Sequence, residues 1–332
     1  MILKIIIGAY SFFMAAWFFT YLFWLDKWWP LILLNIVGYY LFWPALPILF
    51  VALFLYFKQR RNTRYIYMAI VPVLIFVFFF HPFLKPNIIE THPNSDLRVL
   101  TYNILNGNRR VNRIVSVIGQ VNADVVAIQE LTERLRPKII DRLSETYPYH
   151  YVSTPMRSGT TALFSKLPLA EVAELDFGVD RPAVVASTLV NGKKVTVVSA
   201  HLNPIYYALT NRPIRDMPRA IERYIVDQNK QAKLLIDVLR DYDSSAFILA
   251  CDCNSRETAS TNRILATFFK DAATQVGWAL GDTPIENARH ERDLKRVDYI
   301  WYTGAIETTG VYRLADSGGS DHQPVFSDFR WQ

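Results

Sequence analysis

Six short apolar runs in this 332-residue chain border residues that bind cations, donate hydrogen bonds or carry protons. Val99-Leu100-Thr101-Tyr102 leads into Asn103, and Val125-Val126-Ala127-Ile128-Gln129 leads into Glu130. Val197-Val198-Ser199-Ala200 leads into His201. Phe247-Ile248-Leu249-Ala250-Cys251 leads into Asp252 and, two residues on, Asn254. Asp298 stands at the start of the run 297–301, and Gly318-Gly319-Ser320-Asp321-His322 is a glycine-rich turn into the run 324–329. Runs of this length and composition read as buried strands. Polar residues at such strand ends collect at one sheet edge, where layered α/β proteins place their sites. Carboxylate and amide oxygens suit hard divalent cations. Histidines carry protons near neutral pH, and an aspartate beside a histidine sets its tautomer and orientation. Taken singly, each residue has an ordinary explanation as a turn former or a helix-terminal acid. Six of them at strand ends point to a site.

The elements that must position these ends alternate along the chain. Val111, Ile114, Val115 and Ile118 repeat at helical spacing, as do Leu135, Ile139, Ile140 and Leu143, a helix that Pro137 is expected to interrupt. Further strands are expected at 149–152, 161–164, 183–190 and 194–200, the last two joined by Asn191-Gly192, a hairpin signal. Helices are expected over 219–240 and 262–269. The expected fold class for residues 97–332 is an α/β layered domain.

The order of these motifs resembles the endonuclease/exonuclease/phosphatase superfamily, which includes nucleases, neutral sphingomyelinases and inositol phosphatases. The resemblance spans about 97–329. It implies a deoxyribonuclease I-like four-layer α/β sandwich and hydrolysis of phosphoric esters by in-line attack of water. Carried over residue by residue, Glu130 resembles the carboxylate that holds magnesium, with Asn103 beside it; manganese is the expected substitute. Asp252 and Asn254 resemble an Asp-x-Asn pair, the aspartate orienting or deprotonating the water and the asparagine donating to phosphoryl oxygens. Asp298 resembles the aspartate that orients the final histidine, here His322, which stabilises the phosphorane or accepts the water proton. Asp321 resembles a second acid near the metal or the leaving group. His201, in Ser199-Ala200-His201-Leu202, resembles the histidine that protonates the leaving oxygen. Asn106, Arg109 and Asn203 are the expected substrate contacts.

The sequence departs from the family pattern in two places. Cys251 stands where a glycine often precedes the Asp-x-Asn aspartate. Leu105 stands where nucleases often carry an acid, with Asn106 as a substitute, which weakens a two-metal reading. Cys251 and Cys253 are expected to be free, since side chains two apart on a strand share a face but are poorly placed to bridge.

The first 90 residues differ in composition from the rest. They hold seven basic and two acidic residues, whereas the remainder nets only +1 of the total +6. They also hold 26 of the 47 aromatic residues. Three uncharged or nearly uncharged runs, at about 5–25, 28–57 and 65–84, are long enough to cross a bilayer. Trp24, Trp28, Trp29, Tyr65 and Tyr67 flank them, where aromatic belts form. The expected organisation is a membrane domain of three transmembrane helices (1–90), a polar linker (91–96) and the catalytic domain (97–332). The loop Lys58-Gln59-Arg60-Arg61-Asn62-Thr63-Arg64 carries four positive charges and no acid. By the positive-inside rule it is cytoplasmic, which places the N-terminus inside and the catalytic domain on the outer face.

These readings favour a lipid or other membrane-associated phosphodiester as substrate, because a linker of six residues reaches at most about 20 Å from the bilayer. The segment 204–223, with Ile205-Tyr206-Tyr207-Ala208-Leu209 followed by Arg212, Arg215 and Arg219, suits an interface and lipid phosphates. One alternative is an outer-face nuclease using Arg109, Arg110 and Arg113, although a domain near neutrality has few charges for phosphate neutralisation. The other is an inactive membrane scaffold.

Overall fold

The computed structural model describes the chain apart from residues 1, 59–62, 85, 88–94, 156–158, 206–209, 211–212, 277, 280–287 and 291–295. The central part of the basic loop, most of the linker, and Tyr206 to Leu209 with Arg212 therefore lie outside the described residues. The chain forms two compact units. One comprises Met1–Leu84, Ile205–Val226 and Ser255–Arg263; the other comprises Lys85–Pro204, Asp227–Asn254 and Ile264–Gln332. The first thus takes in two segments that the sequence reading assigns to the catalytic domain.

In the first unit the N-terminal helices are α1 (Ile2–Phe23), α2 (Trp29–Ile36), α3 (Gly38–Leu41), α4 (Ala45–Lys58) and α5 (Arg64–Leu84). The stretches Ile2–Phe23, Gly38–Lys58 and Arg64–Pro82 are long and apolar enough to cross a membrane. Their outward faces keep large apolar side chains exposed, Phe12, Phe50, Phe57 and Leu74 among them, which a soluble surface avoids at this density. The second apolar run, 28–57, which Pro44 and Pro47 interrupt in the sequence, forms three pieces, α2, α3 and α4. Pro44 cannot donate the next helical hydrogen bond and disfavours helical backbone at Trp43, so α3 stops at Leu41. Pro72 lies within α5, which continues through it.

The second unit holds the strands β1 (Pro86–Asn87), β2 (Leu97–Asn103), β3 (Val125–Leu131), β4 (Tyr149–Val152), β5 (Thr160–Ser165), β6 (Ala170–Leu175), β7 (Ala183–Val190), β8 (Lys193–His201), β9 (Ala246–Asp252), β10 (Lys270–Asp271), β11 (Trp278–Ala279), β12 (Ala288–His290), β13 (Asp298–Gly304), β14 (Ile306–Leu314) and β15 (Val325–Trp331). The helices are α6 (Val111–Val121) and α7 (Arg136–Leu143), then α8 (Met217–Leu239) and α9 (Ser260–Leu265), which each start in the first unit and end in the second, and finally α10 (Ala272–Val276). Pro137 does not break α7; it occupies the first turn, where a missing N–H costs nothing.

Two sheets form the core. Seven strands run in the order β12-β14-β15-β2-β3-β5-β4, and six in the order β10-β13-β9-β8-β7-β6. Helices α6 and α7 cover the first sheet, burying Ile114, Val117, Ile139 and Leu143 against Leu100, Val126, Phe164 and Phe326. The second half of α8 covers the other, with Ala232, Leu235 and Leu239 against Val198, Leu249 and Trp301. Alternate residues on β3 and β8 face the opposite sheet, where Gln129 Nε2 donates to Ser199 Oγ at 3.4 Å. The result is the helix–sheet–sheet–helix sandwich expected.

Register then does the positioning. In the six-stranded sheet β8 and β9 are parallel with His201 opposite Asp252, and β9 and β13 are antiparallel with Asp252 opposite Asp298. Three chemical side chains thus stand in one row across three adjacent strands. In the other sheet β2 and β3 are parallel, and β2 ends at Asn103 opposite Gln129, one residue before Glu130.

Candidate active site

Asp252 is the hub, and its side chain is wholly buried. Its Oδ2 accepts a hydrogen bond from Asn103 Nδ2 at 2.9 Å and lies 3.3 Å from His201 Nε2 and 3.8 Å from His322 Nε2. Its Oδ1 accepts from the Asn254 backbone N–H at 3.1 Å. Burial raises the Asp252 pKa above the ordinary carboxylate range, as does the negative charge of Asp298; His322 and the donated hydrogen bonds oppose that rise.

Asn254 adopts a left-handed backbone (φ 46°), which asparagine tolerates well. Its Nδ2 donates to the Leu202 carbonyl at 3.0 Å, tying the end of β9 to the end of β8. Gln228 of α8 donates to the Asn203 carbonyl at 2.9 Å and to the Asn254 carbonyl at 3.1 Å. Gln231 Oε1 receives the Asn203 N–H at 2.8 Å. These glutamines, which sequence reasoning missed, hold both strand ends; their spacing on one face of α8 was the available signal.

Glu130 carries the strained backbone of the site. It has φ 62° where the β3–β5 pairing slips, so a bulge turns its side chain out of the strand's alternation. Its Oε2 accepts the Asn106 N–H at 2.8 Å, and its Oε1 lies 3.8 Å from His201 Nε2. Asn106 therefore serves Glu130 through its backbone, while its side chain is exposed, as is that of Arg109. Gly159 (φ 88°) closes over the bulge: a Cβ there would sit 2.8 Å from Glu130 Cα.

The final loop places His322. Tyr102 donates its hydroxyl to the Ser317 carbonyl at 2.6 Å, Ser320 Oγ donates to the Asn103 carbonyl at 2.7 Å, and the His322 N–H reaches Ser320 Oγ at 3.1 Å. Asp298 Oδ2 accepts from His322 Nδ1 at 2.8 Å. Burial alone lowers the His322 pKa, but Asp298, Asp252 and Asp321 outweigh it and raise it to about 10. His322 is thus a cation at neutral pH. Asp321 is exposed and acts on it through charge.

His201 is the opposite case. Arg181, buried beside it, has Nη1 2.5 Å from Nδ1 and 2.6 Å from Nε2. Burial first, then the positive charges of Arg181 and His322, push the His201 pKa well below its ordinary value. His201 is neutral here. Arg181 was missed in the sequence, where only Asp180-Arg181-Pro182 ahead of β7 marks it.

Cys251 and Cys253 are corrected as well: they are joined in a disulfide. An ideal strand separates i and i+2 Cα atoms by roughly 6.6 Å, but β9 ends at Asp252, and the turn that follows brings the two Cα atoms to 5.2 Å, within bridging range.

A divalent cation fits this donor set. Glu130, Asp252 and the Asn103 amide supply hard oxygens, and water completes such shells. Among the described residues Asp252, Asp298 and His322 also bring one ligand-capable atom each within 4.8 Å of one another. In that trio, however, His322 is protonated and donates Nδ1 to Asp298, so it offers no lone pair there.

The sequence model of the "Endonuclease/Exonuclease/phosphatase family" matches residues 100–322. The chain belongs to this family. Its members are metal-dependent phosphoester hydrolases. No curated protein sequence matches the chain. Solved structures do. Humanized D. rerio TDP2 is 17% identical, with a TM-score of 0.54 over 70% of this chain and 98% of that one. The endonuclease/exonuclease/phosphatase from Bacteroides vulgatus is 16% identical, with a TM-score of 0.53 over 71% and 99%. The one from Beutenbergia cavernae is 18% identical, with a TM-score of 0.52 over 72% of each chain. At these identities the likeness establishes the fold.

Gly159→Ala should disturb Glu130 from a distance. A Cβ in left-handed backbone against Glu130 Cα is expected to cost about 1–3 kcal/mol of stability and to weaken divalent-cation affinity on the order of tenfold or more. Calorimetric cation titration beside a denaturant melt checks this; wild-type affinity in the variant would contradict the packing argument.

Proposed function

We propose that this protein is a membrane-anchored, magnesium-dependent phosphodiesterase acting on a lipid or another membrane-associated phosphodiester. The observation that carries the reading is the pairing, in one chain, of three apolar helices of membrane-crossing length with a family hydrolase domain of almost no net charge. A nucleic-acid substrate needs several free cations. Arg109, Arg110 and Arg113 after the Asn103 loop are all exposed, but Arg113 is paired with Asp316 at 3.0 Å, and a cluster of three in a domain that nets +1 is small for that purpose.

Each side chain has a part. Glu130, with Asn103 and Asp252, would hold the cation, which when bound offsets charge on the phosphoryl oxygens. Asp252, its pKa raised by burial, orients the attacking water and accepts its proton. The His322 cation, kept charged by Asp298, stabilises the nonbridging oxygens as the new P–O bond forms. His201, neutral in the free site, offers its remaining ring N–H as a hydrogen bond to the leaving oxygen. Asn203 and the exposed Asn106 side chain contact the rest of the substrate.

The deciding assay offers the purified full chain, with magnesium, vesicles of sphingomyelin or phosphatidylinositol-type lipid, single- and double-stranded DNA, and a generic phosphodiester. Lipid turnover is expected, and Asp252→Ala and His322→Ala should each lose about 10³-fold or more. DNA cleavage without lipid cleavage would make the protein a nuclease. Turnover without added metal, or in both variants, would remove the mechanism.

The basic residues Lys58 and Arg64, with the arginines between them, support an inside N-terminus and an outer-face catalytic domain. A C-terminal alkaline phosphatase fusion should be active and a C-terminal cytoplasm-only reporter silent. The reverse pattern would invert the topology.

A further inference from the structure

Two stretches leave the catalytic strands and enter the helical unit directly. Ile205–Val226 follows His201-Leu202-Asn203-Pro204, and Ser255–Arg263 follows Asp252-Cys253-Asn254. Inside that unit both are held by the α1–α2 hairpin. The first is held by apolar packing, with Ile32 of α2 against Ala220, Ile221 and Ile225 of α8, and by the Trp29 N–H donating to Glu222 Oε1 at 3.3 Å.

The second is held by a polar chain. Asn35 is the one amide side chain between Trp28 and Phe57, and it is 1% exposed. Unsatisfied in apolar surroundings, it would be costly. Trp17 Nε1 donates to its Oδ1 at 3.0 Å, and its Nδ2 donates to Asp26 Oδ1 at 2.7 Å. What remains is directed at the loop after the Asp-x-Asn pair. The Asn35 carbonyl, in the last turn of α2, accepts the Thr258 hydroxyl. Asp26 Oδ2 accepts the Ser260 N–H, at the first residue of α9, at 2.9 Å. Gly38 makes room for this contact, because a Cβ there would lie 2.6 Å from Thr258 Oγ1. Thr258 and Ser260 are 2% and 3% exposed, and only three residues separate Thr258 from Asn254.

We propose that the hairpin is part of the catalytic apparatus: Asp26 and Asn35 are positioning residues that act through Thr258 and Ser260 to fix the Asp252–Asn254 strand end. The catalytic consequence rests on the hydrolase reading above; the positional one does not. A plain tether would tolerate loss of these bonds, whereas a positioning device would not.

The test uses the full chain in detergent micelles, with magnesium and soluble bis(4-nitrophenyl) phosphate, beside amide hydrogen exchange. Thr258→Val removes the hydroxyl at nearly constant shape, Thr258→Ser restores it, and Asp26→Ala removes the other anchor. Thr258→Val and Asp26→Ala should each lower kcat on the order of tenfold, since small misplacements of reacting groups are costly. KM should be unchanged, exchange at 250–254 should rise, and Thr258→Ser should return both readouts to wild type. Exchange that rises only within 255–263, with kcat and 250–254 unmoved, would overturn the proposal, as would no change in either variant. If the wild type leaves every phosphoester intact, the hydrolase reading fails by itself and exchange at 250–254 decides. If Asp26→Ala does not fold, the Thr258 pair decides.

Discussion

The site depends on one buried carboxylate. Asp252 has no access to solvent, and a charge so placed must be met by donors and cations or give up its ionisation. The strand register meets that demand, because His201, Asp252 and Asp298 are neighbours across β8, β9 and β13. Asn103 arrives from the other sheet and His322 from the loop before β15. Two sheets therefore have to pack correctly before Asp252 has its partners, and the polar contact of Gln129 with Ser199 lies between them.

Around that carboxylate the two histidines are driven apart. Both are close to Asp252, yet burial, and after it Arg181, keeps His201 neutral while Asp298 keeps His322 charged. Groups of one chemical type pushed to different protonation states divide acid, base and electrostatic work in one site. Asp298 thereby both holds the His322 ring and supplies its countercharge. The same pairing is the physical reason for setting the cation beside Glu130 instead of His322.

Much of this was legible in the sequence. Apolar runs ending in Asn103, Glu130, His201, Asp252 and Asp298 mark buried strands whose ends meet, and Asn191-Gly192 marks the hairpin between β7 and β8. Other features depend on backbone geometry or on partners distant in sequence. The bulge that aims Glu130 arises from a register slip against β5, and Gly159 matters only because it closes over that bulge. Arg181, Gln228 and Gln231 belong to no strand-end motif. The Cys251–Cys253 bridge forms because β9 ends one residue before Cys253, and strand spacing alone argues against it. The prolines at 44 and 47 mark the interruption of the second apolar run in the sequence, whereas the earlier break after Ile36, and the contact of Asn35 with Thr258, are seen only in the structure.

The central claim is the division of labour around Asp252, with the cation at Glu130 and the charged His322 at the phosphoryl oxygens. Anomalous diffraction from crystals grown with manganese and a nonreactive phosphodiester analogue tests it most directly. The account predicts a manganese peak bonded to a Glu130 carboxylate oxygen, with His322 hydrogen-bonded both to Asp298 and to a phosphoryl oxygen. A peak ligated by Asp252, Asp298 and His322 together, with Glu130 left out, would contradict it.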